Sequence, residues 1–180
     1  MSIISEISIK CPHCSATSKA VAYGSINTAE NPELKEQVMN GSLFVHECPH
    51  CGTKILMTSP VAYIDPAGKF IILYSVNDVA VEAPEEGAFA GFAIRHVREI
   101  GELIEKVKIF DAGLDDQVLE LCKNVTQMEM QREVPLKFLK LNGPDNEIIF
   151  TYPEKGQMEM IAIGFNVYED CSAIIAAHRH

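Results

Sequence analysis

Cys11-Pro12-His13-Cys14 and, after a gap of thirty-three residues, Cys48-Pro49-His50-Cys51-Gly52 decide how this chain is read. Each unit sets two thiols on one tight turn, where backbone N–H groups can donate to the sulfurs and offset their charge. Proline after the first cysteine pre-sets the turn. Gly52 can take a positive φ without steric cost, and Ser15 holds the corresponding place in the first unit. A single CxxC is weak evidence, because redox dithiols share the pattern. Two of them, each beside a predicted strand, favour tetrahedral four-sulfur coordination of one metal by Cys11, Cys14, Cys48 and Cys51 over two disulfides. Zinc is the leading choice, and a mononuclear iron would use the same four thiolates. A closed four-sulfur site has no open position for water, which makes it structural rather than catalytic. His13 and His50 are expected to point away from the sulfurs.

Outward from these turns the pattern is mixed. Ile3 to Lys10 is β-branched and roughly alternating, and predicts an edge strand leading into the first cysteine pair. Ala20 to Ile26 predicts a second strand. Asn31-Pro32-Glu33 predicts a helix start with Asn31 as the capping side chain, and Asn40-Gly41 ends that helix. Leu43 to Glu47 predicts a strand returning to Cys48. Lys54–Thr58, Val61–Ile64 and Lys69–Val76 predict a continuing meander, with Asp65-Pro66-Ala67-Gly68 as a turn. Val79 to Gly91 is a connector or a short, poorly formed helix. Ala93 to Val97 predicts a strand. Ile100, Leu103, Ile104 and Val107 follow a 3.6-residue period, as do Leu114, Val118, Leu121 and Val125. Two amphipathic helices separated by Asp111-Ala112-Gly113 predict an angled or antiparallel pair. Val134–Leu141, Glu147–Tyr152 and Gln157–Ile163 predict an antiparallel sheet. Tyr168 to Ala177 reads as either helix or strand.

The 180 residues carry 25 acids against 15 lysines and arginines, a formal net charge of -10. A zinc held by four thiolates would add about -2 more. Such a chain repels polyanions, and its basic stretches, Arg95 to Arg98 and Lys106 to Lys108, are diluted by Glu99, Glu102 and Glu105. Nucleic-acid binding is therefore not expected. No stretch of 18 apolar residues and no basic leader before an apolar run is present, so the expectation is a cytoplasmic protein without a membrane span. Cys122 and Cys171 stand apart from the cysteine pairs in apolar surroundings, and Cys122 reads as either a small buried side chain or a reactive thiol. Asp111, Asp115 and Asp116 are explained by helix capping. No nucleophile elbow, phosphate loop or HExxH is present.

The cysteine pairs, Ile26-Asn27, Asn31-Pro32-Glu33-Leu34-Lys35 and Asn40-Gly41-Ser42-Leu43-Phe44 together resemble the CpXC domain, a bacterial and archaeal family. Arg95-His96-Val97-Arg98, Leu103-Ile104-Glu105-Lys106, Leu114-Asp115-Asp116 and Glu120-Leu121-x-Lys123 are similar to it as well. The resemblance implies Cys11, Cys14, Cys48 and Cys51 as the ligand set. It also implies that both helices belong to the same unit as the metal site, and it leaves the function open.

The expected fold is α+β: antiparallel strands carrying a zinc-ribbon-like four-cysteine site, a paired-helix unit and a C-terminal antiparallel sheet. The expected division is a CpXC-like domain over residues 1–130 and a β-rich extension over 131–180 packed on it. Function divides three ways. The leading reading is a non-enzymatic structural-zinc protein that contacts a protein partner. The alternatives are a nucleic-acid or transcription-associated binding protein, and an enzyme whose site lies near Arg95, His96 and Arg98. Oligomeric state is not legible.

Overall fold

Isoleucines at positions 4, 7 and 9, separated by serine and charge, favour extended backbone over helix. In the computed structural model, which describes residues 3–76 and 90–178, they lie in strand β1 (Ile3–Lys10). It pairs antiparallel with β2 (Thr17–Asn27), Ile7 facing Ala20. The chain then leaves the sheet for helix α1 (Glu33–Met39), a 3-10 turn at Ser42–Phe44 and a small hairpin, β3 (Val45–Glu47) with β4 (Lys54–Leu56). It returns as β5 (Val61–Asp65) and β6 (Phe70–Tyr74), and after the undescribed stretch as β7 (Ala93–Val97). The sheet order is β1-β2-β5-β6-β7.

The meander expected through this half is only partly present. β5 runs parallel to β2, and β7 parallel to β6. Parallel neighbours need a long crossover, and the segment carrying α1 and the β3–β4 hairpin is that crossover for β2 and β5. Every residue of β5 and β6 is buried, which is why Phe70-Ile71-Ile72-Leu73-Tyr74 reads as a continuous apolar run rather than an alternation. Tyr63 stacks on Phe70 with ring centroids 5.9 Å apart. At the turn between them Gly68 N–H donates to Asp65 Oδ1.

Two further expectations change in detail. Asn31 does not cap α1: Pro32 occupies the cap, and the Asn31 amide donates to Glu33 instead. Leu43 and Phe44 lie in the 3-10 turn rather than a strand. Left-handed Gly41 at φ 80° starts that turn, and the Asn40 side chain accepts from Ser42 N–H. The connector expected over Val79 to Gly91 falls almost wholly outside the described residues.

The chain divides into two compact units, Met1–Ile104 and Glu105–His180, with helix α2 (Ile100–Asp111) crossing the division. In the second unit, α3 (Asp116–Met130) is followed by an antiparallel sheet of order β10-β9-β8. Its strands are β8 (Lys137–Asn142), β9 (Glu147–Glu154) and β10 (Gln157–Gly164). The ambiguous C-terminal segment is helix α4 (Phe165–His178). Val118, Leu119 and Cys122 of α3 share one core with Phe138, Ile148, Phe150, Ile163 and Cys171. The close backbone neighbour of α3 is α4, and α3 meets α2 through long charged side chains. Lys123 Nζ lies 2.8 Å from Glu105, and Lys106 Nζ 2.5 Å from Asp116. Asp115 caps α3 by accepting from Gln117 N–H, while its own N–H donates to the Tyr168 hydroxyl of α4.

Candidate metal centre

Both cysteine pairs sit at hairpin tips. Residues 11–16 join β1 to β2, and residues 48–53 join β3 to β4. The two tips have the same backbone wiring. Cys11 N–H donates to Ala16 O at 2.9 Å and Ser15 N–H to Cys11 O at 2.9 Å; Cys48 N–H donates to Thr53 O at 2.8 Å and Gly52 N–H to Cys48 O at 2.9 Å. That closure requires a left-handed residue one place after the second cysteine. Gly52 has φ 77° and Ser15 φ 63°. The serine therefore adopts the glycine conformation in spite of its Cβ, at a steric cost of about 1–2 kcal/mol.

The tips bring four sulfurs together. Cys11 Sγ lies 3.6 Å from Cys51 Sγ, and Cys14 Sγ 3.6 Å from Cys48 Sγ, and all four sulfurs lie within 4.8 Å of one another. A zinc–sulfur bond of about 2.3 Å implies about 3.8 Å between the sulfurs of a regular tetrahedron. The closest pairs are already near that spacing and far from the roughly 2.05 Å of a disulfide bond. The four cysteines are free thiols clustered at metal-ligating distance, compatible with a metal such as zinc. Each hairpin contributes one buried sulfur, Cys11 and Cys48, and one exposed one, Cys14 and Cys51. Among the described residues no other group of three or more His, Cys, Asp or Glu side chains gathers in this way. His13 and His50 are exposed and stand outside the cluster.

Without a metal the sulfurs hold their protons unequally. The Cys51 thiol is lowered to about 6, first by the Thr53 hydroxyl and then by the Thr53 backbone. Thr53 Oγ1 is 3.1 Å from the sulfur and donates to it once Cys51 is a thiolate. At Cys14 a backbone hydrogen bond from Ala16 pulls downward, but desolvation and hydrogen bonds with the Cys48, Cys51 and Cys11 sulfurs outweigh it and push the thiol up to about 12. A dication held by these four cysteines would displace the protons, because only thiolates ligate.

Two supporting contacts carried no sequence signal beyond ordinary strand alternation. His46 Nε2 of β3 lies 2.8 Å from Ser18 Oγ of β2, a direct tie between the two hairpins. The Thr53 hydroxyl is the other. Strand alternation sends Arg95 and His96 to opposite faces of β7, where Arg95 Nη1 donates to Ile94 O. Arg98 lies past the strand end, and its N–H donates to Glu102.

The sequence model of the CpXC protein family matches residues 9–123, more than half of the chain and all four cysteines. The chain belongs to the CpXC family. Within the CpXC match lie both hairpin tips and the four helical charges Glu105, Lys106, Asp116 and Lys123 that pair across α2 and α3. Neither the curated proteins nor the solved structures searched contain a match. Among the described residues no helix is long and apolar enough to cross a membrane.

Proposed function

We propose that this CpXC chain is a structural-zinc protein that works through contact with another protein. Cys11, Cys14, Cys48 and Cys51 would hold the ion, in a zinc-ribbon-like arrangement of two hairpin tips. Zinc would supply a four-way cross-link between the two hairpins, in addition to the Ser18–His46 tie. The spacing of the four sulfurs is the observation that carries the reading. Four thiolates fill a tetrahedral ion, so the centre offers no open position for substrate. The protein-contact half of the reading rests on that closure and on the acidic balance of -10, which disfavours a polyphosphate partner.

Cobalt(II) substitution tests the centre. Titration of the metal-free chain should give strong visible bands of tetrahedral thiolate coordination, saturating at about one cobalt per chain and displaced by zinc. Weak octahedral bands, or saturation at two ions, would contradict it. Anisotropy with duplex and single-stranded probes should show no appreciable binding at about 150 mM salt.

A further inference from the structure

Strand β1 is an outer strand of its sheet, and among the described residues no strand lies on its far side. It is eight residues long, against five for β7 at the other edge. Exposed edges are normally blunted by shortness, proline, a central bulge or repeated lysine. Between Ile4 and Lys10 there is no proline and a single lysine, at the very end, and the only register irregularity is at Ile3/Ile4. Glu6, Ser8 and Lys10 are exposed, while Ile7 and Ile9 on the opposite face are half-buried.

We propose that this edge pairs antiparallel with β1 of a second copy of the chain, with Ser8 facing the partner's Ser8. The proposal rests on the protein-contact half of the functional reading and names the partner. A twofold axis through a continuous sheet keeps each face on its own side, so one residue must sit opposite its own copy. Centring on Glu6 sets two carboxylates against each other. Centring on Ser8 sets Glu6 opposite the partner's Lys10 and Ile7 opposite the partner's Ile9, and symmetry repeats each pair. Opposite charges and β-branched pairs directly across strands both stabilise a ladder. The turn that begins at Cys11 limits the ladder to Glu6–Lys10, which makes the dimer weak and concentration-dependent. Glu6 already lies 3.1 Å from Lys19 of its own chain, but both side chains are well exposed, and a pair of that kind holds Glu6 only loosely.

The test is sedimentation of the full metal-loaded chain from about 10 to 300 µM, a range set by the weak-interface expectation. Wild type should show a reversible monomer–dimer equilibrium. Glu6→Lys and Lys10→Glu should each weaken it about tenfold or more, since every cross-strand pair counts twice. The double reversal Glu6→Lys/Lys10→Glu should restore it. Ser8→Asp, which sets two carboxylates face to face at the centre, should abolish it. Circular dichroism and zinc content, read for every variant, separate lost pairing from lost folding. A wild-type monomer throughout this range, or a dimer indifferent to both single reversals, would overturn the proposal. A zinc-loaded monomer would leave the metal reading standing, whereas a dimer that obeys the charge rule without bound metal would sustain the edge pairing and defeat the metal reading.

Discussion

Glu105→Ala removes the central group of a buried network in the second unit. Glu105 Oε2 lies 2.8 Å from Lys123 Nζ and also accepts the Phe138 backbone N–H at 2.6 Å, which ties α2 and α3 to β8. Both charged side chains are about 8% exposed. Breaking a buried pair by removing one partner costs about 3–5 kcal/mol, because the other charge stays behind uncompensated. The orphaned Phe138 N–H would cost about 1–3 kcal/mol by itself, overlapping with the first figure. Lys123 retains Glu120 at 3.0 Å, but that side chain is 58% exposed. The lower end of the range, about 3 kcal/mol, is therefore expected. Glu105→Gln with Lys123→Met should recover most of the loss, since the glutamine oxygen still accepts from Phe138 and methionine fills the lysine stem. The chain has no tryptophan, so the readouts are urea unfolding by far-UV circular dichroism and hydrogen exchange at the second-unit core. A loss under about 1 kcal/mol for Glu105→Ala, or a double variant as unstable as the single one, would refute this account of how the helices are fixed.

Other expectations concern the metal centre and the second core. Cys48→Ser should lose the metal and destabilise the first unit, while His50→Ala should keep both metal content and melting temperature; elemental analysis of the two variants checks the pair. Ser15→Gly should stabilise by about 0.5–1 kcal/mol, the left-handed strain relieved less the entropy of glycine, and Gly52→Ala should cost about 1 kcal/mol, both read by thermal melts of the metal-loaded chain. Burial, reinforced by the neighbouring Cys171 sulfur, pushes the Cys122 thiol from 9.0 up to about 12. Cys122 should therefore resist alkylation at pH 8 in the folded chain, as peptide mapping would show. Because the folded thiol stays protonated where the unfolded one ionises, its contribution to stability is complete below pH 9.0 and lost as pH rises towards about 12. Flat stability across that interval would argue against the burial effect.

Much of the fold could be read from local signals, and the failures have physical causes. Ile3 to Lys10 carries its own alternation, and the three C-terminal strands are apolar runs bounded by turn residues, so their approximate positions could be read locally. The parallel pairing of β5 with β2 is a property of where a long crossover returns, which no local pattern encodes. Leu43-Phe44 is apolar enough for a strand, and the left-handed Gly41 turned it into a 3-10 turn. The four cysteines were legible because ligand spacing is a sequence property. The Ser18–His46 tie was not, because it joins residues twenty-eight positions apart. Glu105 and Lys106 entered the sequence reading as surface charges, Asp116 as a helix-capping acid and Lys123 only as part of a family resemblance. That they pair, Glu105, Asp116 and Lys123 as buried charges and Lys106 half-buried, depends on the geometry of two helices and a strand.

The central claim is that four thiolates from two hairpin tips close around one zinc ion. Elemental analysis of the chain, purified without chelator or oxidant and referred to chain concentration, tests it most directly. One zinc per chain is expected, with Cys11, Cys14, Cys48 and Cys51 protected from alkylation until a chelator is added. Well under half a zinc and no iron, with the same four thiols reactive from the start, would contradict it.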